Sequence, residues 1–92
     1  MNVYIIEVFD ETKNTFVFWN ATKDCKKAEL MIYKYLAEYD EFGLPEVKVS
    51  KALNDYTYFT GSYTVCTGYG DDGTGFDQIK CDFRCHPVTI ND

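Results

Sequence analysis

Ninety-two residues, 46% hydrophobic and 17% aromatic, are enough for one folded domain with a small core and too apolar for a disordered chain. Fifteen acids against nine bases give a net charge of −6. That argues against a free nucleic-acid ligand, because binding phosphates takes Lys and Arg to displace counterions, and Arg84 is the only arginine.

In chain order, Asn2 to Phe9 reads as a strand rich in Val, Ile, Tyr and Phe. One face would carry Val3, Ile5, Glu7 and Phe9, the other Tyr4, Ile6 and Val8. The polar run Asp10 to Asn14 reads as a turn, and Thr15 to Asn20 as the second arm of a hairpin, with Phe16 and Phe18 on one face and Val17 and Trp19 on the other.

Ala21 to Gly43 is the one helix expected. Cys25, Ala28, Ile32, Tyr35, Leu36, Tyr39 and Phe42 recur at three- and four-residue steps and form an apolar stripe, widened by Leu30 and Met31. Thr22 is the expected N-cap and Gly43 the expected C-terminal stop, with Pro45 beyond it. The charges then run against the helix dipole: Lys23, Lys26 and Lys27 sit in the first turns, and Glu38, Asp40 and Glu41 in the last.

Leu44 to Lys51 resumes as strand, with Val47 and Val49 on one face. Tyr56 to Thr67 follows, with a bend expected at Gly61-Ser62. Gly68 to Gly75 reads as an exposed loop, and Phe76 to Ile90 as the last strand, which Pro87 should demote to an edge or a bulge at its end. The order ββαβββ implies an α+β fold of one compact domain, residues 1–92: a single antiparallel sheet of about five strands with the amphipathic helix across one face. Nearly every strand carries aromatics on both faces, so an aromatic face is left for a partner or a second copy.

No apolar run approaches the length of a membrane span, and Glu7 and Asp10 interrupt the N-terminal apolar stretch, so neither a membrane helix nor a signal peptide is expected. The expected location is cytoplasmic, where Cys25, Cys66, Cys81 and Cys85 stay reduced.

The motifs that suggest chemistry are weak. Gly68 to Gly73, GYGDDG, spells the letters of a dinucleotide loop, but a strand follows where a helix N-terminus is needed, and Asp71 and Asp72 would repel phosphate. Asp71, Asp72, Thr74 and Asp77 lack the spacing of a calcium loop. Cys66, Cys81, Cys85 and His86 are the right inventory for zinc, yet Cys81 and Cys85, four apart on one strand, stand roughly 13 Å from each other, and His86 points the other way. A Cys25–His86 or Cys66–His86 dyad is conceivable on inventory, but no motif around either thiol supports it. The expectation is a protein without catalytic residues or cofactor.

What remains is surface. Glu38, Asp40, Glu41 and Glu46 fall in one stretch without bases, and Asp55, Asp71, Asp72 and Asp77 in another. Tyr69 stands beside the second, and Tyr is a frequent interface anchor. In format the chain resembles the small accessory proteins that phages make against host defence, such as anti-CRISPR or anti-restriction proteins: short, acidic, aromatic-rich, one α+β domain, no catalytic motif. No residue motif carries the resemblance, and no functional residue is transferred by it. It implies a non-enzymatic, protein-binding inhibitor acting in the host cell cytoplasm. The expected contact residues are Glu38, Asp40, Glu41, Glu46, Asp71, Asp72 and Tyr69, set against a basic, nucleic-acid-binding site of a larger protein. The alternatives are a homodimer through the aromatic sheet face and a small zinc-stabilised module.

Overall fold

The computed structural model describes residues 2–24, 26–43, 45–53, 55–68 and 75–90. Within them the chain forms β1 (Asn2–Asp10), β2 (Thr15–Thr22), α1 (Lys26–Ala37), β3 (Glu46–Leu53), β4 (Tyr56–Cys66) and β5 (Phe76–Thr89). The fold is α+β: one antiparallel sheet and one helix. The strands lie in the order β2-β1-β5-β4-β3, so β5 sits in the centre between two hairpins. No helix among the described residues is long and apolar enough to cross a membrane.

Local chemistry sets the turns. At the β1–β2 turn Asp10 Oδ1 accepts from the N–H groups of Thr12 (2.9 Å) and Lys13 (3.2 Å), and Asn14 takes the left-handed conformation at φ 55°, which Asn tolerates better than most residues. Further on, β2 shifts register opposite Ile6 and Glu7, so that Trp19 bulges out of the ladder. It packs edge-on against both Tyr35 and Phe83, with ring centroids 5.3 Å away in each case.

The helix is shorter than its sequence pattern suggests. Thr22 belongs to β2, and the cap is Asp24, whose Oδ1 accepts from the N–H of Lys26 at 3.0 Å. Thr22 instead braces that cap, its Oγ1 accepting from the N–H of Asp24 at 3.3 Å. Replacing Asp24 with Ala should remove about 1 kcal/mol of stability, read from the urea midpoint, whereas Thr22→Ala should cost less. At the other end the helix tapers through bonds from Glu38 N–H to the Tyr35 carbonyl (3.3 Å) and from Tyr39 N–H to the Leu36 carbonyl (3.0 Å). Gly43 does adopt a positive φ, +92°, but six residues past the helix end, in the bend that leads to buried Pro45. Glu38, Asp40 and Glu41 therefore lie beyond the helix and not in its last turn, which removes the adverse charges at that end, while Lys26 and Lys27 remain in the first turn.

The core is small: Ile6, Ala28, Ile32, Leu36, Phe59, Phe83 and Cys85. Ala28, Ile32 and Leu36 are the stripe of α1 that the sheet closes on. Cys25 of the expected stripe lies outside the described residues, and Leu30, Tyr39 and Phe42 are about half exposed. β4 carries no bend at Gly61; it runs unbroken, and Gly61 is where the helix lands. A Cβ at Gly61 would stand 2.5 Å from Leu36 Cδ1. Twelve helical residues span about 18 Å, while the molecule extends 59 × 26 × 21 Å. One short helix thus covers only part of one face. Pro87 lies past the last β4 partner of β5, where only β1 pairs with it, so its missing N–H faces one neighbour instead of two.

Candidate functional site

Partners directly across an antiparallel ladder share a face. Ile6 lies opposite Cys85, Val8 opposite Phe83, and Phe59 opposite both Phe83 and Val49; this is the helix side. The reverse face pairs Ile5 with His86, Glu7 with both Arg84 and Phe18, Phe9 with Phe16, and Tyr58 with Arg84. Helix α1 packs on the other side, so this open face has no covering element among the described residues.

The open face holds the only arginine and the only histidine of the chain, side by side on one carboxylate. Arg84 Nε donates to Glu7 Oε1 at 2.8 Å, and His86 Nε2 lies 3.4 Å from the same oxygen. The side chains are 27% exposed for Arg84, 22% for His86 and 17% for Glu7, so the group is half withdrawn from water. Aromatic rings frame it. The Arg84 guanidinium carbon lies 4.3 Å from the Phe16 ring centre and 5.1 Å from that of Tyr56, a two-sided cation–π contact. Tyr56 packs against the His86 ring at 4.8 Å and stacks on Tyr58 at 6.2 Å, and Phe9 closes on Phe16 at 5.4 Å. The hydrogen bond to Glu7, first among its causes, raises the Arg84 pKa above its ordinary value and holds the guanidinium charged; a further bond to Tyr58 adds to this.

Sequence reasoning did not find this cluster. Its signal was present: Glu7 is a lone charge inside an apolar strand, and such a residue usually has an opposite charge in reach. Phe18, 65% exposed, extends the aromatic frame to the edge strand β2.

The expected acidic surface divides. Asp71, Asp72 and Tyr69 lie outside the described residues. Asp40 and Glu41 are committed to the fold. Past Ser62, which pairs with Glu46, β3 no longer covers β4, and the segment after the helix takes its place. Asp40 Oδ1 accepts from Thr64 N–H at 2.8 Å and Oδ2 from Phe42 N–H at 3.2 Å. Glu41 Oε2 accepts from Cys66 N–H at 2.6 Å, and Glu41 N–H donates to the Thr64 carbonyl at 2.9 Å. The two carboxylates stand in for a missing strand by receiving the edge N–H groups of β4. Asp40→Ala should therefore cost about 1–2 kcal/mol and expose the Thr64 amide to hydrogen exchange; a purely solvated acid would leave stability within about 0.5 kcal/mol. Glu38 is exposed and Glu46 makes a surface ion pair with Lys48 at 3.0 Å, a contact of small energetic value.

The zinc set is dispersed. Cys85 is buried on the helix side and His86 lies on the open face. Cys66 pairs with Phe76 and Cys81 with Gly61, which puts five residues of β5, roughly 17 Å, between the two thiols. Ten residues of the same strand, roughly 33 Å, separate the pairing level of Cys66 from His86, so no dyad forms there. The Cys25–His86 pairing lies outside the described residues. No group of three His, Cys, Asp or Glu side chains fit to hold a metal occurs among the described residues. Burial first, then the charges of Asp82 and Glu11, pushes the Cys81 thiol up from its ordinary value, the reverse of what a nucleophile or a metal ligand needs. Burial likewise raises Tyr35, which also bonds Tyr39, and Tyr63.

A fixed cation and a histidine that share one carboxylate lie among aromatic rings, an arrangement able to bind a partner surface. No known protein family, curated protein or solved structure matches the chain.

Proposed function

We propose that this chain is a non-enzymatic, protein-binding inhibitor that docks through the open face of its sheet. The observation that carries this reading is the cluster of Glu7, Arg84 and His86, framed by Phe16, Tyr56 and Tyr58, on a face with no covering element among the described residues. Arg and Tyr held half-desolvated at the middle of a flat surface are the composition of binding hot spots. The charge distribution adds a division of labour. On the open face Glu7, Asp82 and Glu46 are matched by Arg84, Lys80 and Lys48 among the described side chains, so the excess negative charge of the chain lies elsewhere. The acidic remainder, Glu38 included, would steer the approach to a basic partner, and the aromatic face would hold it. The format shared with phage anti-defence proteins points to the nucleic-acid-binding site of a host protein as that partner.

The test uses Phe18→Asp, a change at an exposed side chain. Once a partner is captured from host lysate, its affinity for the variant should fall by tenfold or more, about 1.4 kcal/mol, mainly through faster dissociation. Glu38→Lys should instead slow association, and less so at high salt. Equal affinity of Phe18→Asp and the parent for that partner would move the docking surface elsewhere.

The matched charges favour a second reading, a homodimer through the same face. A two-fold interface sets each patch against itself, which a neutral patch allows and a strongly acidic one does not. Light scattering over a range of concentrations separates the two: a strict monomer leaves only the first.

A further inference from the structure

The open-face cluster has one member whose charge is not fixed. Histidine is the side chain that gains or loses a proton between about pH 5 and 8, and His86 is the only one in the chain. Its Nε2 stands 3.4 Å from Glu7 Oε1, the oxygen that already accepts from Arg84 Nε at 2.8 Å. A charge-assisted N–H···O bond is about 2.7–2.9 Å long. Arg84 has closed on the carboxylate, while His86 stands within reach of it and has not.

The neighbours of the ring are few. β1 contributes Glu7 and, directly opposite His86, Ile5. On β5 itself the flanking residues of the same face are Arg84 on one side and Val88, paired with Val3, on the other. β4 contributes Tyr56, tilted over the ring at 4.8 Å, and Tyr58 stacked beyond it. Further out, β2 supplies Ala21 opposite Ile5 and Phe16 against the guanidinium, and β3 supplies Leu53 and Lys51 at the register of Tyr56 and Tyr58. Helix α1 packs on the reverse side. Glu7 is thus the single acid beside the ring among the described residues; the next on this face, Asp82, lies beyond Arg84 on β5.

With His86 neutral, Glu7 and Arg84 cancel. With His86 protonated, two cations share one carboxylate oxygen, and the cluster carries one net positive charge. Arg84 and His86 are two residues apart on one strand, roughly 7 Å between backbone positions, so their charges repel. All three side chains are partly withdrawn from water, where solvent ions screen that repulsion less than at an exposed pair. An imidazolium has the charge to shorten its contact with Oε1, and it does so at the expense of the arginine already there. We propose that His86 is a proton-operated switch of the open face: protonated, it closes on Glu7 Oε1, loosens the Arg84 guanidinium from that oxygen and turns a neutral cluster cationic. Its bearing on docking rests on the function proposed above: acidification adds a positive charge to the docking face, which repels a basic partner or a second copy carrying the same charge.

The experiment follows the intact chain by NMR from about pH 8 to 5, the range in which an imidazole titrates. The His86 ring carbons give the midpoint of protonation. Solvent exchange of the Arg84 Nε–H, taken relative to free arginine at the same pH, gives the hold of Glu7 on Arg84. That protection should fall about tenfold on acidification, with the same midpoint as the ring. His86→Gln, which cannot take up the charge, should keep it level. Level protection in the parent would overturn the switch. An equal fall in His86→Gln would overturn it too, by tracing the change to Glu7 itself. Should His86→Gln fold poorly, the parent decides alone: a fall in protection at a midpoint other than that of the ring sinks the proposal. None of these outcomes depends on how Phe18→Asp binds a partner, so failure of the switch and failure of the docking reading are told apart.

Discussion

Replacing Gly61 with valine is expected to destabilise the protein by about 2–3 kcal/mol, although valine is the better strand residue. The cause lies across the sheet. Leu36 is fully buried, and its Cδ1 already occupies the space a Cβ would need, with Ile32 Cγ2 and Leu36 Cγ the next atoms out at 3.6 and 3.7 Å. To admit the branched side chain the helix must lift from β4 or Leu36 must leave its rotamer. Either change disturbs the stripe that holds the single helix. Thermal unfolding should show a midpoint lower by roughly 10–20 °C, on the scale of about 4–8 °C per kcal/mol for domains of this size. Gly61→Ala should show the same effect at smaller size. Truncating Leu36 to Ala in the Gly61→Val background should cost less than the same truncation in the parent, because the clash has gone. A neutral or stabilising Gly61→Val would mean that the helix does not rest on β4.

Glu7→Ala is expected to cost about 2 kcal/mol, more than an exposed ion pair is worth and less than a fully buried one. The carboxylate serves two partners. Without it the Arg84 guanidinium remains between Phe16 and Tyr56, drawn away from water and with no counter-charge. The double-mutant cycle with Arg84→Ala isolates that term, and a coupling of about 1–2 kcal/mol is expected. Strict additivity would show that the pair is only a crystal-like surface contact. The parent protein should lose little stability when salt is raised to 1 M, because half-withdrawn pairs are screened less than exposed ones.

Those two residues also mark what a reader of the sequence sees and misses. Strand faces were legible: the alternation in Asn2 to Phe9 separates Ile6 and Val8 from Ile5 and Glu7 just as the sheet does. The helix was legible from Ala28, Ile32 and Leu36, because periodicity is a local property. Its ends were not. Glu38 to Phe42 continue the periodic pattern, but Asp40 and Glu41 instead receive the Thr64 and Cys66 amides, which β3 is too short to cover. That competition is set by residues 24 and 25 positions away and has no local mark. Gly61 reads as a bend because glycine in a strand often is one; that a leucine lands on it depends on the crossing point of the helix. The open-face cluster needs Glu7 and Arg84, 77 residues apart, to be neighbours, which follows only once β5 is known to lie next to β1.

The proposed docking face differs from the acidic surface expected from the sequence, for an identifiable reason. Acidic residues without nearby bases look like free surface in a sequence, yet two of them are edge caps. The residues with interface composition were hidden as an interruption in β1 and as an unremarkable pair in β5. The acidic excess keeps a place in the proposed mechanism through exposed Glu38, as a source of steering and not as the contact itself.

The placement of β5 has a consequence for biosynthesis. It is the last of the five strands to leave the ribosome and the one to which both hairpins pair. Until Phe83 and Cys85 have emerged, β1–β2 and β3–β4 share no ladder, and Ile6 and Phe59 have nothing between them to pack on. The nascent chain must carry two half-sheets with open edges and exposed aromatics, and it can gain native stability only in one late step. Nonlocal closure of this kind is slow relative to helix or hairpin formation. A ribosome stalled before that strand would present a sticky intermediate to chaperones and proteases rather than a smaller version of the protein.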